Sequence, residues 1–110
     1  MLARRYKIGS KPRILHILEK GWVFHWGVFY FRRLPNQIES PRFSLILSKK
    51  ISRKAVIRNK VRRRVYEAIR KNIGLVSKTC YDIVVLCSAR ISQMDSQAIE
   101  RDMIMCLKKL

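Results

Sequence analysis

Apolar residues along this chain change period several times, and each change marks an element. Ile14, Leu15, Ile17 and Leu18 recur at three- and four-residue spacing, as in a helix with one buried face. Ser10 precedes the run as an N-cap, Pro12 falls in the first turn where a missing N–H is tolerated, and Gly21 supplies the stop. The pattern predicts a short helix over residues 11–20, behind a basic arm (residues 1–9) expected to be loose or extended. Residues 22–33 turn aromatic and β-branched, the composition of strands. Alternation sends Phe29 and Phe31 to one face and Tyr30 and Arg32 to the other. Gly27 either divides the stretch into two strands or marks a bulge. Residues 34–41 read as a loop and residues 42–48 as a further strand.

Ile57, Val61, Val65, Ala68, Ile69 and Asn72 then fall within about 120° of one another at 100° per residue. They define an amphipathic helix with a narrow apolar stripe, Ser52 being its candidate cap and Gly74 its close. Residues 81–87 (YDIVVLC) are nearly continuously apolar, as in a strand covered on both faces. Ile99, Met103, Cys106, Leu107 and Leu110 mark a final helix beginning near Asp95. A strand, a helix and then a buried strand imply a crossover onto one sheet. The expectation is a single α/β domain over residues 1–110: a small sandwich of three helices on a mixed sheet of about four strands.

Charge sharpens the picture. The 110 residues carry 25 Lys+Arg against 7 Asp+Glu, a net charge of +18. Self-repulsion on that scale is best offset by a polyanion, which makes nucleic acid the leading partner. The excess is local: residues 1–73 hold 20 basic and 3 acidic residues, residues 74–110 only 5 and 4. The binding face is therefore expected in the first two-thirds, with the rest as scaffold. Cys80, Cys87 and Cys106 form no CxxC pair, and Cys87 and Cys106 fall on apolar runs, so buried free thiols in a reducing cytoplasm are expected. No signal peptide is expected, since Ser10-Lys11-Pro12-Arg13 stands where an apolar core would be. The most apolar window, residues 22–31, is too short to span a bilayer, so no membrane partner is expected. His16 and His25 have no ligand-like spacing with the cysteines, and His16 is expected to be a surface or half-buried side chain, not a catalyst.

Residues 49–64 contain nine Lys/Arg and no acid. On the helix, Arg58 and Arg62 flank the apolar stripe on one side, Lys60 and Arg64 on the other. Asn59 and Arg63 stack i,i+4 on the outer face. Solvated helices usually mix signs; this one raises its own energy by crowding like charges, a penalty that a row of phosphates would reverse. Composition alone does not separate RNA from DNA.

Ser48-Lys49-Lys50, followed by Ala55-Val56-Ile57-Arg58-Asn59-Lys60-Val61-Arg62-Arg63-Arg64-Val65, resembles the signature of the bacterial ribonuclease P protein component. The order of elements matches over nearly the whole chain, down to a D-[IV]-[IV]-[IV] strand at Asp82-Ile83-Val84-Val85. The resemblance implies a strand–helix–strand crossover of left hand, against the general rule. It also implies the role of a protein that binds a large catalytic RNA, the complex removing the 5′ leader of precursor tRNA by Mg2+-dependent hydrolysis with the metal held mainly by the RNA. The chain itself offers no HExxH, Walker loop or two-metal carboxylate cluster, and no catalytic residue is expected in it. By position, Arg58, Asn59, Lys60, Arg62 and Arg63 would contact the catalytic RNA, with Lys49, Lys50 and Lys54 alongside.

The family's second surface is a cleft between the first helix and the sheet, where the single-stranded leader lies on aromatic rings and basic side chains. Here the sequence departs from the pattern. The two aromatic helix positions appear as Ile14 and Leu18. The strand position that is usually Tyr falls at Arg32, with Tyr30 two residues before it on the same face. Trp22, Phe24 and Trp26 either supply the missing rings or are core and edge aromatics. Competing readings are a structural RNA-binding protein such as a ribosomal component, a stand-alone nuclease, which lacks an acid–metal cluster, and a major-groove DNA binder; DNA is not the expected partner.

Overall fold

In a computed structural model, which describes residues 2–110, the expected order of elements is present. Helix α1 (Lys11–Lys20) starts where Ser10 Oγ accepts from the Arg13 N–H at 3.3 Å. It stops at Gly21, whose N–H donates to the Ile17 carbonyl. A Cβ at Gly21 would stand 2.5 Å from that carbonyl oxygen and 3.2 Å from the Arg33 nitrogen, so only glycine lets the chain turn so tightly into the sheet. Strands β1 (Trp22–Trp26) and β2 (Phe29–Pro35) form an antiparallel hairpin. Of the two roles open to Gly27, the structure shows the divider: its φ is +58° in the two-residue connection. Asp102 accepts from the Val28 N–H at 3.0 Å and so ties this turn to the last helix.

Strand β3 (Arg42–Ile46) follows, then α2 (Ala55–Lys71), β4 (Tyr81–Cys87) and α3 (Ser96–Leu107), which Asp95 caps through the Ala98 N–H. The sheet runs β1-β2-β4-β3, β4 pairing antiparallel with β2 and parallel with β3. Helix α2 is thus the crossover between two adjacent parallel strands. Side-chain alternation makes two cores. Phe29, Phe31, Phe43, Leu45, Ile83 and Val85 pack with the buried faces of α2 and α3, and Ile17 packs with Val84 and Ile8 on the opposite face, beneath α1.

Several local expectations need correction. The arm is not loose: Lys7 bridges to Phe43, the Ile8 N–H donates to the Phe43 carbonyl, and Leu2 and Ile8 are buried. Residue 1 lies outside the described residues. Strand β2 runs on through Leu34 and Pro35, which pair with Asp82 and Tyr81, and β3 ends at Ile46, not Ser48. Helix α2 begins after Lys54, while Ser52 Oγ accepts from the Lys54 N–H two residues too early to cap it. It ends at Asn72 instead of Gly74. The Asn72 amide donates to the Ala68 carbonyl and to Glu100 on α3, so this polar end of the apolar stripe joins two helices. Gly74 sits in the following 3-10 turn.

Strand β4 is covered on both faces as expected, and it buries a carboxylate. Asp82 is fully buried and accepts from Arg42 Nε and Nη2 at 2.8 and 2.7 Å, from Arg13 Nε at 2.8 Å and from the Asn36 amide at 2.8 Å. Burial opposes its ionisation, but those bonds outweigh it and hold the carboxyl below its usual range. The three cysteines are free, with Cys106 buried, Cys87 half-buried and Cys80 exposed. Burial pushes the Cys87 and Cys106 thiols up to about 12, so both are neutral packing groups at physiological pH.

Candidate nucleic-acid interface

Val61, Val65, Ala68 and Ile69 fix how α2 sits, because they are the residues it buries. With that seam against the sheet and α3, Asn59, Lys60, Arg62 and Arg63 are left exposed along the outer face. Arg62 Nη1 donates to Asn59 Oδ1 at 3.0 Å, so Asn59 aims a guanidinium and is not an idle surface amide. Among the described residues, no carboxylate pairs with any of the nine cations of residues 49–64. Glu67, the nearest acid in sequence, is engaged by Arg70, whose hydrogen bond holds its carboxyl below the usual range.

The segment before α2 is a fixed loop. Ile51 is buried as its anchor, and its N–H donates to the Ser48 carbonyl. Around that anchor Lys49, Lys50, Arg53 and Lys54 all face outward. Arg58 is half-buried and donates to the Ser52 carbonyl at 2.7 Å. It therefore clasps the loop to the helix as well as carrying charge. Arg64 is likewise engaged, donating to the Met94 carbonyl at 2.9 Å. If this face is the nucleic-acid interface, Arg58→Ala weakens binding by more than Arg62→Ala, since it loses one charge and loosens a loop carrying four. Filter binding of both variants at one salt concentration measures the order, and equal losses would mean that the clasp has no role.

The cleft residues lie on the opposite face of the sheet. Ile14 and Leu18 are half-buried against Ile17 and Val84. Arg32 Nη1 donates to the Leu18 carbonyl at 2.9 Å, holding the end of α1 to β2. Tyr30 is 40% exposed on this same face. The three aromatics that were candidates for the missing rings are elsewhere: Phe24 is edge-on to Phe31 at 5.1 Å, and Trp22 and Trp26 share its side of β1. Lys109 lies over the Trp26 ring, and Arg33 lies between Trp22 and Tyr81. The ring that sequence reasoning missed is His25, which pairs across the hairpin with Tyr30 and stacks on it, centroids 4.3 Å apart and planes 8° apart. Its signal was available in the alternation of β1, once Gly27 is taken as a two-residue turn. His16 is exposed on α1, as expected.

Among the described residues no helix is long and apolar enough to cross a membrane. Comparison with known proteins points one way. The family model described as Ribonuclease P matches residues 2–110. The ribonuclease P protein component of Syntrophomonas wolfei is 30% identical over 109 residues, covering 99% of this chain and 90% of that protein. Among solved structures, the RNase P protein from Thermotoga maritima superposes with a TM-score of 0.84 at 25% identity, covering 94% of this chain and 96% of the other. That of Staphylococcus aureus does so at 0.82 and 25%, covering 94% of each. A ribosomal component finds no support among these relatives. A cation-faced crossover helix, a sheet with a second open face and a match running from residue 2 to the end lead to one conclusion: the chain belongs to the ribonuclease P protein family.

Proposed function

We propose that this protein carries out its family's part in tRNA 5′ maturation by holding two RNAs at once, the catalytic ribonuclease P RNA and precursor tRNA. In this reading Lys49, Lys50, Lys54, Arg58, Asn59, Lys60, Arg62 and Arg63 grip the catalytic RNA. Guanidinium forks suit phosphate oxygens, and Asn59 both orients Arg62 and can meet backbone or hydroxyl groups. Ile14, Leu18, Tyr30 and Arg32 line the cleft that takes the leader. The observation that carries the reading is the outward face of α2 and its preceding loop, where cations stand without carboxylate partners among the described residues.

Bringing a structured RNA and its RNA substrate together sets phosphate against phosphate. A layer of fixed cations between them offsets that repulsion without an ordered ion, so less Mg2+ is needed for the same assembly. Among the described residues no three His, Cys, Asp or Glu gather to hold a metal. These side chains do not fit a resident ion, and the Mg2+ of the reaction is assigned to the RNA. The chain's own work is to bind, orient and screen. Its three free cysteines suit a reducing cytoplasm.

Reconstitution tests this directly. Protein alone should leave precursor tRNA intact, whereas protein plus the ribonuclease P RNA should cleave it at physiological salt and lower Mg2+ than the RNA alone requires. Excess duplex DNA should not displace the protein at raised salt. Equal Mg2+ demand with and without the protein would overturn the reading.

A further inference from the structure

The two edges of the sheet are finished differently. Strand β3 ends one side, and the N-terminal arm runs along it, Lys7 bridging to Phe43 and the Ile8 N–H donating to the Phe43 carbonyl. Strand β1 ends the other side, and among the described residues no further strand or bridge joins it. Four of its five residues are exposed. Soluble proteins blunt such an edge with lysine, proline or a bulge. Strand β1 has none of these. Residues 21–31 are the longest stretch of the chain without Lys, Arg, Asp or Glu, and the register with β2 is unbroken from Trp22 to Trp26.

The hairpin turn decides which backbone groups β1 keeps free. Trp26 and Phe29 flank a two-residue connection in which Gly27 alone has positive φ, so they are the pair that exchanges hydrogen bonds beside the turn. Alternation then turns Phe24 and Trp22 toward β2 as well. The N–H and C=O groups of Val23 and His25 are left pointing outward, symmetrically about Phe24. The side chains of Trp22, Phe24 and Trp26 share the face toward α3. Trp22 and Trp26, the only tryptophans in the chain, are 56% and 40% exposed.

We propose that β1 is the pairing edge of a symmetric dimer, its occupant being β1 of a second copy of this chain, antiparallel about an axis at Phe24. In that register Val23 pairs with the second copy's His25 and His25 with its Val23, so all the outward groups of both strands find partners. Trp22, Phe24 and Trp26 then occupy the non-hydrogen-bonded positions, where side chains come closest and Cα atoms stand about 4.5 Å apart. Each Trp22 faces the other copy's Trp26, and Phe24 faces Phe24. Aromatic cross-strand pairs of this kind stabilise an antiparallel ladder, and no charged residue stands opposite another. The contact consumes β1 of both copies. It leaves β3, covered by the arm, at both ends of an eight-stranded sheet, so assembly stops at two. The cation face of α2 belongs to the crossover between β3 and β4, away from this edge, and stays open to RNA. What opposes pairing is the net charge of +18 on each copy, together with Arg33 over the Trp22 ring and Lys109 over the Trp26 ring. Salt screens that repulsion. Self-association therefore strengthens as ionic strength rises, the reverse of binding to a polyanion.

Sedimentation equilibrium of the full chain tests this, at low and raised salt and at concentrations up to about 1 mM. A five-residue edge is smaller than a standard interface, so a dissociation constant of about micromolar or weaker is expected. The average mass should climb from 13.1 kDa toward twice that value, more steeply in raised salt. Far-ultraviolet circular dichroism should gain the exciton couplet of adjacent indoles, because within one chain Trp22 and Trp26 lie about 14 Å apart along the strand. Val23→Pro removes only an outward N–H; it should weaken the dimer more than tenfold and leave affinity for the catalytic RNA unchanged. Trp22→Lys, at an exposed position, should weaken the dimer equally without altering the backbone, and it decides the matter if the proline variant misfolds. A dimer that neither substitution weakens overturns the proposal. So does a chain that stays monomeric at every concentration and salt, which would leave the edge to an extended segment of another protein.

Discussion

Asp82→Ala is expected to destabilise the free protein by about 3–5 kcal/mol, the cost of removing one partner from a buried ion pair. For a domain whose total stability is about 5–15 kcal/mol, that is a large share. The carboxylate is fully buried and accepts four hydrogen bonds that join α1, the β2–β3 connection, β3 and β4. Without it, Arg13 and Arg42 face each other with nothing between them. Both guanidinium side chains keep about a quarter of their surface exposed (27% and 25%), so they can turn partly to water, which favours the lower end of the range. Thermal unfolding followed by circular dichroism should show a midpoint at least ~12 °C lower. A change of a degree or two would show that the cluster is dispensable. The pH dependence follows from the depressed carboxyl. A group whose folded pKa lies below its unfolded value of about 3.9 stabilises the protein above that pH. The contribution is lost as pH falls through the lower folded value. Wild type should therefore weaken as pH drops below about 4, and Asp82→Asn, less stable at pH 7, should lose less over the same interval.

Replacing Lys49, Lys60, Arg62 and Arg63 together with alanine should cost about a thousandfold in affinity for the catalytic RNA, taking about 1 kcal/mol for each charged contact. The expected fold consequence has the opposite sign. All four side chains are exposed, none joins an internal ion pair, and alanine is the best helix former. Removing three like charges from α2 and a fourth from the loop before it relieves repulsion, so the unbound variant should unfold at the same temperature as wild type or higher. The dependence of log K on log salt should become shallower by about 3, at 0.7–0.9 per phosphate contact. An unchanged slope would place the RNA on some other surface.

The elements were legible in the sequence wherever one period held over a whole segment. Ile57 through Ile69 set out α2, and the unbroken apolar run of 81–87 announced a strand with two covered faces. The cation face of α2 was equally plain, because a helix that buries Val61 and Val65 has no choice about Arg62 and Arg63. What stayed hidden depended on distant partners. Asp82 looked like one polar residue in an apolar strand; its role comes from Arg13 and Arg42, 69 and 40 residues away. The arm seemed free because nothing local shows that Leu2 and Ile8 find cover beside β3. The cleft aromatics stayed open between two readings for a matter of parity. Whether Trp22, Phe24 and Trp26 or instead His25 share the Tyr30 face depends on the number of residues in the turn, and a bulge at Gly27 would have reversed the answer.

The strand order carries a consequence for synthesis on the ribosome. Strand β4 is the last strand made, yet it lies between β2 and β3. A nascent chain stopped short of residue 81 has a β1–β2 hairpin and a separate β3 with no shared neighbour, both with apolar faces and open edges. Arg13 and Arg42 meanwhile wait for a carboxylate that has not emerged. Loop closure over so many residues is slow relative to local helix formation. The sheet must therefore close late and all together, and a truncated product is expected to aggregate or be degraded, not to persist as a smaller folded unit.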